Sequence, residues 1–195
     1  MNEVGAQRAI KKLIDDYKDV LVDGHYQQGT YRAINEITLS VLTPPRQYYH
    51  VKVQVRGAED MSFVDRNTAK PRRKPVYDCM IHVADPAKAS GTYWAEQYEL
   101  AHTHFRSMVE GIAALVAGSY WASPINGTYY TYFQSLPICI EDPDTNSKFH
   151  IVRGGRSDRL IRVQNLDHTW QDPDNEVWTP LMYSTIQFSL EEQIV

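Results

Sequence analysis

The chain has 195 residues, a length that suits one domain with room for long loops. Its hydrophobic share of 43% is enough to build a core, which excludes wholesale disorder. A formal charge of −4 and a pI near 6.0 exclude the basic footprint of a nucleic-acid binder.

The chain opens MNEVGAQRAIKKLIDDY, with charges throughout and no apolar centre of a secretory signal, and no apolar run approaches a bilayer span. A soluble, intracellular protein with no membrane partner is the expectation. Cys79 and Cys139 are too few for a disulfide scaffold and read as buried free thiols. The aromatic content, 13 Tyr, 4 Trp and 5 Phe, suits strands and contact surfaces.

Ile10, Leu13, Ile14, Tyr17, Val20 and Leu21 recur at steps of three and four, which predicts an amphipathic helix over about 6–22. Asp23-Gly24 is its expected stop. Residues 31–42 fit neither period cleanly. Their β-branched content and the stop at Pro44-Pro45 favour a strand over about 35–42.

Tyr49, Val51, Val53 and Val55 alternate with His50, Lys52, Gln54 and Arg56, the pattern of an antiparallel strand with one wet face. Residues 57–74, GAEDMSFVDRNTAKPRRK, lose that pattern and are expected as a long loop insertion. A strand follows over 75–83, with Tyr77, Cys79, Ile81 and Val83 on one face, and then a loop over 84–91. Trp94, Tyr98, Ala101, Phe105, Met108, Ile112, Leu115 and Ser119 step by four and three, predicting a long helix over 93–117. Thr92 is its expected N-cap and Gly118 its stop.

The remainder reads as strands. Asn126-Gly127 signals a two-residue hairpin. Short strands are expected at 138–140, 149–152 and 160–163, and a final one at 182–190. Between the last two, 165–180 is expected as a second polar loop insertion. The sum is a single α+β domain over 1–195. Its mostly antiparallel sheet is packed by one long helix and a short N-terminal helix, with long loops.

Sites of chemistry are sparse. His102 and His104 are two apart on a helix, so their side chains diverge by roughly 200° and cannot chelate one ion. Asp142, Asp144 and Asn146 copy the opening of a calcium loop. That loop fails at Ser147, where Gly is needed, and at Arg153, where Glu is needed. With Asp172, Asp174 and Glu176, these residues read as solvated acidic turns. Gly154-Gly155 lacks both the dinucleotide and the phosphate-loop spacing. Arg72, Arg73 and Lys74, and Arg153, Arg156, Arg159 and Arg162, form two basic clusters that read as solvated faces or protein contacts. No catalytic, metal-binding or cofactor-binding residue is assigned, and no cofactor is expected.

In order, the chain gives a short N-terminal helix, the strand YYHVKVQVR and the strand PVYDCMIHVAD. The helix YWAEQYELAHTHFRSMVEGIAALV and a β-rich tail closing in YSTIQFSL follow. This arrangement resembles the tail terminator (tail completion) proteins of long-tailed bacteriophages, and more loosely other neck and tail-tube components. The resemblance spans most of residues 6–195 and is strongest at 75–117 and 182–190. It implies a non-enzymatic virion protein of the tail or neck, assembled in the host cytoplasm. There it forms a ring, usually of six subunits, that caps the tail tube at the head–tail junction.

The partners it implies are neighbouring copies, the tail tube protein, the head–tail connector or stopper protein and, as a further candidate, the tail sheath. DNA would pass through the lumen without specific binding. On that reading the loop 57–74, the 126–127 hairpin and the segment 165–180 are contact elements. Two other classes stay open: another virion part, such as a head-completion stopper or tube subunit, and a small cytoplasmic enzyme or binding module.

Overall fold

The computed structural model describes residues 2–18, 21, 23–27, 30–32, 34, 36–39, 50–62, 72–86, 94–118, 121–122, 129–130, 139–152, 161–171 and 178–193. Over these the fold is α+β, with two helices and a strand-rich mixed sheet.

Helix α1 runs Glu3–Tyr17, three residues earlier than the periodicity suggests. The reason is Asn2, whose side-chain oxygen accepts from the Gly5 N–H at 2.9 Å and caps the helix at its true start. Its end is set by Lys18 rather than by Gly24: Asp23 already opens strand β1 (Asp23–Gln27), which pairs with β2 (Thr30–Arg32). Leu21 lies beyond the helix and is still fully buried.

The main sheet begins with β3 (Glu36–Thr38), which runs parallel to β4 (His50–Ser62). Strand β4 then pairs antiparallel with β5 (Arg72–Pro86). Residues 57–62 and 72–74, expected as loop, are therefore strand, and 63–71 lie outside the described residues. A backbone ladder needs no apolar alternation once it leaves the core, which is why a polar sequence can continue it. Helix α2 (Trp94–Ala117) follows and closes at Gly118, whose φ of 59° suits a residue without Cβ. Thr92 and the turn at Asn126-Gly127 lie outside the described residues, although the flanking β6 (Trp121–Ala122) and β7 (Tyr129–Tyr130) pair antiparallel.

Strands β8 (Cys139–Glu141) and β9 (Lys148–Ile151) form a hairpin. The last two strands, β10 (Arg162–Gln171) and β11 (Trp178–Glu192), form a second and longer one. The segment 165–180 is thus strand on both sides of residues 172–177 and is not a loop insertion. The order across the sheet is β3-β4-β5-β11-β9-β8, with β10 also on β11. One edge of β11 faces β5. The other is shared, carrying β10 up to Gln187 and β9 from Leu190. The Val152 N–H donates to the Ser189 carbonyl at the changeover.

Val51, Val53 and Val55, Tyr77, Cys79, Ile81 and Val83, and Ile186, Phe188 and Leu190 share one sheet face and are buried. Ala6, Ala9, Ile10 and Ile14 of α1 join the same apolar cluster, as do Phe105, Met108, Val109, Ile112, Leu115 and Val116 of α2. Both helices therefore cover one face. On α2 the burial extends past the expected stripe, leaving Arg106 and Glu110 exposed.

Where β11 stops pairing, the hairpins go on alone. Beyond the Val76–Glu191 pair, β4 and β5 run on through Pro75 to Arg72, with only each other as partner among the described residues. Beyond the Leu181–Pro86 pair, β10 and β11 run on through Pro180 to Trp178. These are opposite ends of the sheet. The free stretches are about 13 Å and 10 Å long at 3.3 Å per residue. Pro75 and Pro180 stand at the first position outside the three-stranded region, where the lost N–H is tolerated.

Candidate functional site

The face opposite the helices is polar but only partly wet. The register puts Lys52, His82 and Thr185 in one cross-strand row; they are 7%, 6% and 5% exposed. This corrects the expectation of a solvated face, because the alternation of Lys52, Gln54 and Arg56 with valines records side-chain direction and not depth. The Tyr183 hydroxyl donates to His82 Nδ1, while His82 Nε2 lies 3.3 Å from Gln54 Oε1, so the neutral Nε2–H tautomer satisfies both. Burial, aided by the charge of Lys52, pushes the His82 pKa down. Burial pushes that of Tyr183 up. Among the described residues the buried Thr185 hydroxyl has no hydrogen-bond partner.

Toward the β4–β5 end of this face lies an open groove of about 390 Å³. Arg56 stands on β4, Asp78 and Met80 on β5, Gln187 and Ser189 on β11, and Arg162 on β10. Arg56 and Arg162 are exposed, and among the described residues neither guanidinium has an ion-pair partner. Arg56, Asp78 and Ser189 share one row, with Ser189 Oγ 3.5 Å from Asp78 Oδ1. Gln54 joins the groove to the His82 cluster.

A second, shallow depression lies between α2 and the start of β10. Ala113, Ala114 and Ala117 flank Val163, which is 44% exposed.

The remaining sequence candidates fall as follows. Asp142 is fully buried, not solvated: Arg8 Nε and Nη2 donate to its two oxygens at 2.8 and 2.7 Å, and Thr145 Oγ1 donates at 2.5 Å. The Asp144 N–H adds a bond at 3.2 Å, and Asn146 takes the left-handed φ of 58° that the turn needs. The carboxylate is committed to a side chain of α1, so the calcium-like spacing marks a clasp. The Arg8 hydrogen bond holds the Asp142 carboxyl well below the usual range.

Cys79 is buried as expected, and burial pushes its thiol pKa far up; Cys139 is only half-buried. Both are free thiols. Of the second basic cluster, Arg162 lines the groove, and Arg153, Arg156 and Arg159 lie outside the described residues with Gly154-Gly155. The side chains of His102, His104, Arg72, Arg73 and Lys74 also lie outside them. Among the described residues no three His, Cys, Asp or Glu side chains gather as a metal site, and no helix is long and apolar enough to cross a membrane. Nothing in the sequence pattern marks the groove, since its residues come from four strands and only the register joins them.

No family model matches the chain, and no curated protein matches it. Among solved structures it aligns with another chain at 12% identity and a TM-score of 0.43. That alignment covers 100% of this chain and 98% of the other.

Proposed function

We propose that the chain is a subunit of a phage tail terminator, working by assembly rather than by catalysis. Six copies would close into a ring at the head–tail junction. That ring caps the tail tube, meets the connector or stopper protein on the head side, and lets DNA pass without specific contacts. The observation that carries this reading is the pair of two-stranded arms leaving opposite ends of one sheet. A cyclic ring repeats one heterologous contact between two different patches of the same subunit. A body that reaches out at both ends has separate elements for its neighbour and for the next layer of a tail. The mildly acidic chain also suits a channel that must release DNA.

The test is the molar mass of the purified protein alone and mixed with tail tubes, with negative-stain images of the mixture. Rings near six times the 22.5 kDa chain, seated on tube ends, are the expected result. A compact monomer that ignores tubes overturns the reading. Rings that attach to the connector but not to tubes move the protein to the stopper position.

A further inference from the structure

We infer that the Arg56–Arg162 groove is the receptor for the acidic end of the β10–β11 arm of a second copy of this chain; the inference deepens the ring reading and rests on it.

The groove has two exposed guanidiniums on opposite rims, neither neutralised among the described residues. The rims are three strand spacings apart, about 14 Å at 4.8 Å per strand. Asp78 lies between them, so the groove keeps one net positive charge and also an acceptor for a donor on the incoming chain. Gln54, Gln187 and Ser189 add neutral donors and acceptors. This composition suits a carboxylate-rich peptide segment.

The chain carries such a segment. The connection between Gln171 and Trp178 reads Asp172-Pro173-Asp174-Asn175-Glu176-Val177, with three carboxylates and no basic residue. In sequence it lies between Gln171 and Trp178, the final described pair of the β10–β11 arm.

The register forbids the contact within one copy. Arg162 pairs with Gln187 at the groove, and Gln171 pairs with Trp178 at the arm's end. The nine steps along β10 between Arg162 and Gln171 separate these two points by about 30 Å along the ladder. The groove and the Gln171–Trp178 pair that flanks the acidic sequence are therefore far apart along the β10–β11 ladder, and groove and sequence are complementary in charge. Between copies they meet head to tail, the heterologous contact that closes into a ring when its rotation closes.

The experiment uses the full chain in three forms: wild type, the groove variant Arg56→Glu/Arg162→Glu, and the arm variant Asp172→Lys/Asp174→Lys/Glu176→Lys. Circular dichroism and thermal midpoints establish that each is folded, and the milder Arg56→Gln/Arg162→Gln replaces the groove variant if charge reversal prevents folding. Sedimentation velocity over a hundredfold concentration range gives the mass.

Wild type is expected to grow with concentration and to shrink on raising salt to 1 M, since the contact is electrostatic and rim-exposed. Each variant alone is expected at 22.5 kDa. Their equimolar mixture pairs the native arm with the native groove and the lysine arm with the acidic groove, so it is expected to assemble again beyond the monomer mass. Wild type fixed at the monomer mass, or a mixture that stays there, overturns the inference. If both variants keep the wild-type ring mass and still cap tubes, the ring stands and this contact falls. If wild type grows as open chains that the reversals abolish, the contact stands and the ring falls.

Discussion

Arg8 on α1 and Asp142 in the β8–β9 turn, 134 residues apart in the chain, meet through two parallel hydrogen bonds of 2.8 and 2.7 Å. The carboxylate is fully buried and the guanidinium also reaches Asp144 at 3.1 Å. A fork-to-fork pair fixes orientation as well as distance, so it sets how the helix lies against the edge hairpin. Asp142→Ala is expected to destabilise the fold by about 2–3 kcal/mol, because it removes the buried acceptor that holds both the Arg8 fork and the Thr145 hydroxyl. Denaturant midpoints measure this, and a loss below about 0.5 kcal/mol would contradict the clasp. Because the Asp142 pKa is lowered in the fold, its contribution is complete above the unfolded value near 3.9 and is lost as pH falls below it. Wild type should therefore lose more stability than Asp142→Asn on going from pH 5 to pH 3.

Tyr77 ties three distant segments. Its hydroxyl accepts from the Asn2 N–H at 2.7 Å and donates to Glu192 at 2.5 Å, while its ring meets Phe149 edge-on at 5.7 Å. Tyr77→Phe keeps the ring and removes the knot, at an expected cost of about 1–2 kcal/mol. Amide exchange should speed up at α1's first turn and at the end of β11 more than in β4. Burial, with the Glu192 hydrogen bond, lifts the phenol to about 12. A raised folded value means its contribution is full below pH 10 and is lost as pH rises through 12, so alkaline unfolding should be steeper in wild type than in Tyr77→Phe.

His82 titrates in the opposite sense. Its folded pKa is lowered, so the unfolded chain binds the proton first, and the stability held above pH 6.5 declines as pH falls through that value. His82→Gln should flatten the difference in denaturant midpoint between pH 7.5 and 5.5. An unchanged difference would assign the acid sensitivity elsewhere.

Gly5 sits beneath the cap. A Cβ there would come within 2.6 Å of Asn2 Cγ, so Gly5→Ala displaces the side chain that starts α1. Losing the cap costs about 1 kcal/mol and Ala returns about as much in helix propensity. The expected net change in wild type is under about 0.5 kcal/mol, whereas in an Asn2→Ala background Gly5→Ala should stabilise by about 1 kcal/mol. Equal effects in both backgrounds would rule out the coupling.

The core was legible where one face is dry. Val51, Val53 and Val55, and Ile186, Phe188 and Leu190, alternate in sequence and are buried in the structure. The strand lengths were not legible, because residues 57–62 and 169–171 are held by backbone pairing that leaves no mark on polarity. Burial of Lys52 and His82 was hidden for a related reason: a polar residue at a polar position gives no sign that it is covered. The groove was least legible of all, since Arg56, Asp78, Ser189 and Arg162 become neighbours only through register.

The shared edge of β11 also decides where a load on the molecule goes. The arm belongs to β10 and β11, while the Arg8 clasp sits on the β8–β9 branch, and among the described residues both branches share one edge of β11, changing over at Phe188–Leu190. A pull on the arm therefore runs down β11 and crosses into β5 as shear over eleven paired positions, Leu181–Pro86 to Glu191–Val76. Hydrogen bonds in shear must break together rather than one by one, so the arm can transmit tension to the body of the sheet.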